Sequence, residues 1–126
     1  MGGDIFMKTN KKRHVGIYAG RSPFNGRLAI EIKPEDTPIG ICTSSGTVGP
    51  SLSFGHADAV VIIAQSAVLA DACATAVGNL IQSDSDIDRG VKFAQKIEGI
   101  TGVLIIKGEK IGVWGAGIRL EGSEGN

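Results

Sequence analysis

The hydrophobic period of this chain changes at Gln65–Ser66, and that change limits the folds open to it. Before it, residues 57–64 read Ala-Asp-Ala-Val-Val-Ile-Ile-Ala, a β-branched run of the kind that makes an interior strand. After it, Val68, Leu69, Ala72, Cys73, Ala76, Val77, Leu80 and Ile81 recur at helical spacing, which predicts a helix with one broad apolar face. Ser66 stands where its side chain can cap the first turn. A strand that runs straight into an amphipathic helix needs both element types in one packed body.

Upstream, residues 4–8 and 14–18 flank the polar, basic stretch 9–13 and are expected to form a hairpin around it. Lys8, Lys11, Lys12 and Arg13 then make a solvated cationic tip. In Ser22-Pro23-Phe24-Asn25-Gly26 the Asn-Gly pair supplies the positive φ angles of a tight reversal. Residues 28–33 alternate apolar and charged, as a half-buried strand does. Pro34 and Pro38 bracket a loop, and 39–45 and 51–54 read as extended.

Beyond the first helix, Ser83-Asp84-Ser85-Asp86 punctuates the chain. Ser85 with Asp88 fits a capping box for a second helix over 86–98, striped by Ile87, Val91, Ala94 and Ile97 and ended by Gly99. Residues 103–106 and 111–114 are expected to pair across Lys107-Gly108-Glu109-Lys110. The expectation is an α+β fold with a mainly antiparallel sheet and two helices packed on one face. One domain over 1–120 accounts for these elements, with 121–126 a disordered tail.

Composition narrows the function classes. Thirteen basic and thirteen acidic residues cancel, so no net charge draws the chain to nucleic acid or an anionic membrane. The expected partner is a small molecule. Two cysteines, Cys42 and Cys73, are too few for a disulfide framework and read as small buried hydrophobes in a reducing cytoplasm. The first residues lack the apolar core of a signal peptide, and the longest apolar runs are too short to span a bilayer. The 19 glycines, against roughly nine at the usual ~7%, fall singly at the ends of apolar runs and mark turns and close approaches.

The segment Ala70-Asp71-Ala72-Cys73-Ala74-Thr75-Ala76 carries the strongest chemical signal. Asp71 and Thr75 lie one helical turn apart on one face, among alanines that keep the surface low. A carboxylate and a hydroxyl together form part of an oxygen shell for Mg²⁺, which phosphate oxygens would complete. The alternative is a polar stripe with Thr75 bonded back to a backbone carbonyl. Gly2-Gly3-Asp4 and Thr43-Ser44-Ser45-Gly46 are stretches where backbone N–H groups could approach a phosphate or a ring; tight sheet turns are the alternative. His14 and His56 have no zinc-ligand spacing around them, and Asp58 shares a side of the chain with His56.

These segments resemble the ApbE-type flavin transferases, which move FMN from FAD onto a protein threonine or serine with Mg²⁺. Ala-Asp-Ala-x-Ala-Thr-Ala is similar to their metal-binding helix, Gly2-Gly3-Asp4-Ile5 to their G-G-D strand, and Cys42-Thr43-Ser44-Ser45-Gly46 to their T-S-G element. The longer string from Thr43 to Gly55 looks closer to an uncharacterised branch of ApbE-like proteins. The resemblance implies a T-fold-related half, a metal at Asp71 and Thr75, and a flavin (FAD or FMN) site bordered by Gly2, Gly3, Asp4, Thr43, Ser44, Ser45 and Gly46. Where the transferases carry H-I-I-D-P, this chain has Gly49-Pro50-Ser51-Leu52-Ser53, without the histidine or the acid. Only the C-terminal half of such proteins is matched. The expectation is therefore a binding protein for a flavin-like or other phosphate-bearing molecule with a divalent cation, as a homo-oligomer or completed by a missing N-terminal half. The alternatives are a Mg²⁺-dependent FAD:protein FMN transferase and a structural half-domain that dimerises without a ligand.

Overall fold

The computed structural model describes residues 3–8, 10–11, 13–17, 28–34, 39–44, 57–115 and 118–120. Within them the order is β1 (Gly3–Met7), β2 (Arg13–Ile17), β3 (Leu28–Ile32), β4 (Ile39–Ser44), β5 (Ala59–Ala64), α1 (Ala67–Leu80), a 3-10 turn (Asp84–Asp86), α2 (Ile87–Gln95), β6 (Ile100–Lys107), β7 (Lys110–Trp114) and β8 (Ile118–Leu120). A five-stranded sheet runs β1-β4-β5-β6-β7, and a three-stranded sheet runs β2-β3-β8. Every pairing is antiparallel. The fold is α+β.

The central strands β4, β5 and β6 of the five-stranded sheet are buried on both faces. Cys42, Val60, Ile62, Ala64, Val103 and Ile105 pack with the helix residues Ala70, Cys73, Ala74, Val77, Ile87, Val91 and Ala94. The intervening positions Ile39, Ile41, Ala59, Val61, Ile63, Leu104 and Ile106 pack with Ile30 and Ile32 of β3. Period-two alternation therefore sorts one sheet's residues between two separate cores. It also explains why β5 is apolar throughout, since every residue of it is buried. Both helices lie on one face, as the sequence predicts, between adjacent strands β5 and β6.

Four local expectations are corrected. Residues 9–13 do not tip a hairpin, because β1 pairs with β4 and β2 with β3, in different sheets. The apolar face of α1 is rotated from the expected one: Val68 is 81% exposed, while Ala70 and Ala74 are buried. The reason is a close approach at Gly40, where a Cβ would fall on the Ser66 carbonyl and the Ala67 amide. A helix start held that near to a strand has room beneath it for alanine and turns its valine to solvent.

The capping box forms two residues earlier than expected. Asp86, not Asp88, accepts from backbone N–H groups, those of Gln82 (2.9 Å) and Ser83 (3.1 Å). Asp88 instead pairs with Lys92 one turn on, at 3.0 Å. Finally, α2 ends at Gln95, and Gly99 with φ +95° turns the chain into β6 after the helix has stopped. β8, which the sequence reading leaves unassigned, closes the small sheet against β3. Ser66 caps α1 as expected, accepting from Leu69 N–H at 3.1 Å. The expected elements at 22–26 and 51–54 and the tail 121–126 lie outside the described residues.

Candidate functional site

Three segments that are far apart in sequence meet at one end of the large sheet. β1 and β4 are in register so that Gly3 stands opposite Thr43 and Asp4 opposite Cys42. Positions directly opposite in an antiparallel pair lie on one face of a sheet. For Cys42 that face is the helix-covered one, and its thiol donates to Asp71 Oδ1 across 3.7 Å. β1, β4 and α1 thus bring strand positions 4 and 42 and Asp71 to one face of the sheet, while positions 3 and 43 fall on the other.

The α1 residues are arranged as their spacing predicts. Asp71 and Thr75 are both exposed, on the edge of a helix whose neighbouring positions Ala70 and Ala74 are buried. Thr75 Oγ1 donates back to the Asp71 carbonyl oxygen at 3.2 Å. That is the local bond foreseen as the alternative to ligation. It is also compatible with ligation, because a hydroxyl that donates its proton to a carbonyl keeps its lone pairs for another partner. Asp71 Oδ1 likewise accepts a hydrogen bond, from the Cys42 thiol, and Oδ2 takes no donor among the described residues.

Among the described residues no group of three or more His, Cys, Asp and Glu is arranged to hold a metal ion. Thr43 is half-buried in β4. Gly2, Ser45, Gly46 and His56 lie outside the described residues, and for Asp4, His14 and Ser44 the strand position is what the structure describes. Both cysteines are buried and free, and burial pushes the Cys73 thiol up to about 11. Two open grooves lie elsewhere, against α2. One, of about 310 Å³, runs between Asp84, Asp88 and Lys110 over Val113, and the other, of about 510 Å³, lies between Leu80, Arg89 and Phe93.

Sequence reasoning missed two polar contacts. It took Cys42 for a core residue alone, and nothing in the chain pattern marks which helix residue lies over a given strand position. It placed Asp58 only on the same side of the chain as His56, whereas Asp58 Oδ2 accepts the Gly108 N–H at 2.6 Å.

The strands and the helix pair define an α+β domain in which α1 covers the sheet face shared by strand positions 4 and 42. A family model described as AbpE bacteria matches residues 1–106, and the chain belongs to that family. It is similar to several proteins that carry the name UPF0280 protein. That of Methanocella arvoryzae is 46% identical over 114 residues, covering 90% of this chain and 46% of the relative. That of Methanosarcina acetivorans is 46% identical over 115 residues, covering 90% and 45%. The Methanococcus aeolicus protein is 45% identical over 118 residues, covering 90% and 48%. The chain thus spans about half the length of the curated relatives it matches.

Proposed function

We propose that this family is a branch of the ApbE-like superfamily and that this chain binds a flavin-like or other phosphate-bearing small molecule through a divalent cation. Asp71 and Thr75 hold the cation. Gly2, Gly3, Asp4 and the segment Thr43, Ser44, Ser45 and Gly46 border the ligand. The observation that supports this most is the convergence of the three motif segments, with Asp4 opposite Cys42 and the Cys42 thiol on Asp71. The donor chemistry fits: the carboxylate and the hydroxyl each keep oxygen lone pairs after the bonds they make. Two protein oxygens are a thin shell for Mg²⁺, which keeps waters and takes substrate phosphates for the remainder.

The test is a thermal-shift titration with FAD, with and without Mg²⁺, on wild type and Asp71→Ala. Binding at a hundredfold excess over Kd stabilises by about 2.7 kcal/mol. A Mg²⁺-dependent shift lost in the variant supports the reading. No shift in wild type, while Asp71→Ala melts identically, rejects it for this chain.

The half-length coverage favours a second, compatible reading, that the site is completed by further protein. A second copy of the chain or the remaining half of a full-length relative would serve. Sedimentation of the chain with FAD and Mg²⁺ separates the two, because only the first gives a dimer. Attachment of FMN to an acceptor peptide in the same mixture would promote the chain from binder to transferase.

A further inference from the structure

The bond from Cys42 to Asp71 runs between unlike environments. Cys42 is 3% exposed, held in β4 between its register partners Asp4 on β1 and Ile62 on β5. It packs with the core under α1. Asp71 is exposed on the outer edge of α1, where water already solvates its charge. The contact therefore does not rescue a buried carboxylate. What it does is restrict one: an exposed aspartate is otherwise free to rotate, and a donor fixed in the sheet holds Oδ1 at 3.7 Å.

Cysteine suits this position for a physical reason. A buried hydroxyl must satisfy its acceptor and donor capacity or incur a desolvation cost. A thiol behaves as a small hydrophobe and still carries a weak S–H donor. Cys42 can therefore belong to the apolar cluster and donate outward at once. Carboxylates that bind metals are commonly held by such outer hydrogen bonds, whose loss weakens affinity.

We propose that Cys42 is a positioning residue for the cation site, orienting the Asp71 carboxylate so that its second oxygen meets the ion. The inference rests on the reading of Asp71 as a cation ligand. Cys42 itself stays outside the coordination shell. Its thiol donates to Oδ1 and does not lose its proton to a metal.

The test uses Mn²⁺ as the probe, with free ion counted by electron paramagnetic resonance, on the whole chain. Wild type, Asp71→Asn, Cys42→Ala, Cys42→Val and Cys42→Ser are compared, each with its melting temperature. The expected result is that Asp71→Asn abolishes binding. Cys42→Ala and Cys42→Val should weaken it about tenfold, at the lower end of the ~10–100-fold range for outer-shell partners. Cys42→Ser, which restores a donor, should recover most of that loss.

Two patterns overturn the proposal while leaving the cation reading standing. One is unchanged Mn²⁺ affinity in Cys42→Ala and Cys42→Val, even with lowered melting temperatures, which would make the residue a packing element only. The other is a Cd²⁺ complex with thiolate charge-transfer absorption that Cys42→Ala removes, which would make the sulfur a ligand. Equal Mn²⁺ binding by wild type and Asp71→Asn removes the cation reading itself, and the proposal with it.

Discussion

The carboxylate of Asp58 and the backbone N–H of Gly108 meet at 2.6 Å, tying the entry of β5 to the turn between β6 and β7. Asp58 N–H also donates to the Ile106 carbonyl at 2.7 Å, so this one residue is bonded through side chain and backbone to the same hairpin. The hairpin tip is the two-residue turn Gly108-Glu109, with Lys107 paired to Lys110 and Gly108 at φ +59°.

Asp58→Ala takes this acceptor from the exposed Gly108 N–H, and the net loss of one such hydrogen bond costs about 0.5–1.5 kcal/mol. Asp58→Asn keeps a carbonyl oxygen in place and should lose less. Urea denaturation of both variants checks the ranking, and faster amide exchange at Gly108 in Asp58→Ala alone checks the cause. Equal stability of wild type and Asp58→Ala would remove the tether's energetic role.

Gly40→Ala should be among the most damaging single-atom additions to this chain. The new Cβ meets backbone of Ser66 and Ala67, which cannot swing aside as a flexible side chain can. Overpacking costs about 1–3 kcal/mol, and the upper end is expected here. The denaturation midpoint should fall without a change in slope. A variant as stable as wild type would mean that α1 slides along the sheet.

Asp86 gives an acid-limb prediction. The N–H groups of Gln82 and Ser83, with a smaller contribution from Arg89, hold its carboxyl below the usual aspartate range. A depressed folded-state value contributes stability above the unfolded value, near ~3.9, and that contribution is lost as pH falls through the folded value. Wild type should therefore lose melting temperature in that window faster than Asp86→Asn. Parallel curves for the two proteins below pH ~4 would refute it.

Thr75 separates the hydroxyl from its helix. Thr75→Ser keeps the oxygen that donates to the Asp71 carbonyl, and Thr75→Val keeps the shape without it. Losing a local, exposed hydrogen bond should shift stability by less than about 1 kcal/mol. If the hydroxyl ligates a cation, Thr75→Val should abolish the Mg²⁺-dependent shift with FAD and Thr75→Ser should keep it. Retention of the shift in Thr75→Val would exclude Thr75 from the shell.

What was legible in the sequence is what periodicity and spacing carry. The run that became β5 announced an interior strand because both its faces are buried. Asp71 and Thr75 were placed on one helix face by their four-residue spacing, and the Ser66 cap followed from local chemistry. What was not legible depends on contacts between distant segments. The face of α1 that turns inward is set by Gly40, which lies in another strand. The hairpin expected at 9–13 failed because local polarity marks a turn but not which strands pair across it. The capping box moved because two Ser-Asp pairs stand side by side there, and sequence alone does not rank them. Cys42 looked like core, and it is, but its bond to Asp71 exists only once β4 lies under α1.

The small sheet joins segments far apart in the chain, with Leu28 paired to Leu120 and Ile30 to Ile118. All strands of the large sheet and both helices lie between Gly3 and Trp114. Joining β3 to β8 closes a loop that runs from Leu28 to Leu120, a long-range contact that is slow to make. On the ribosome, β8 emerges after every strand and helix of the helix-covered layer, so β3 gains its second partner only then.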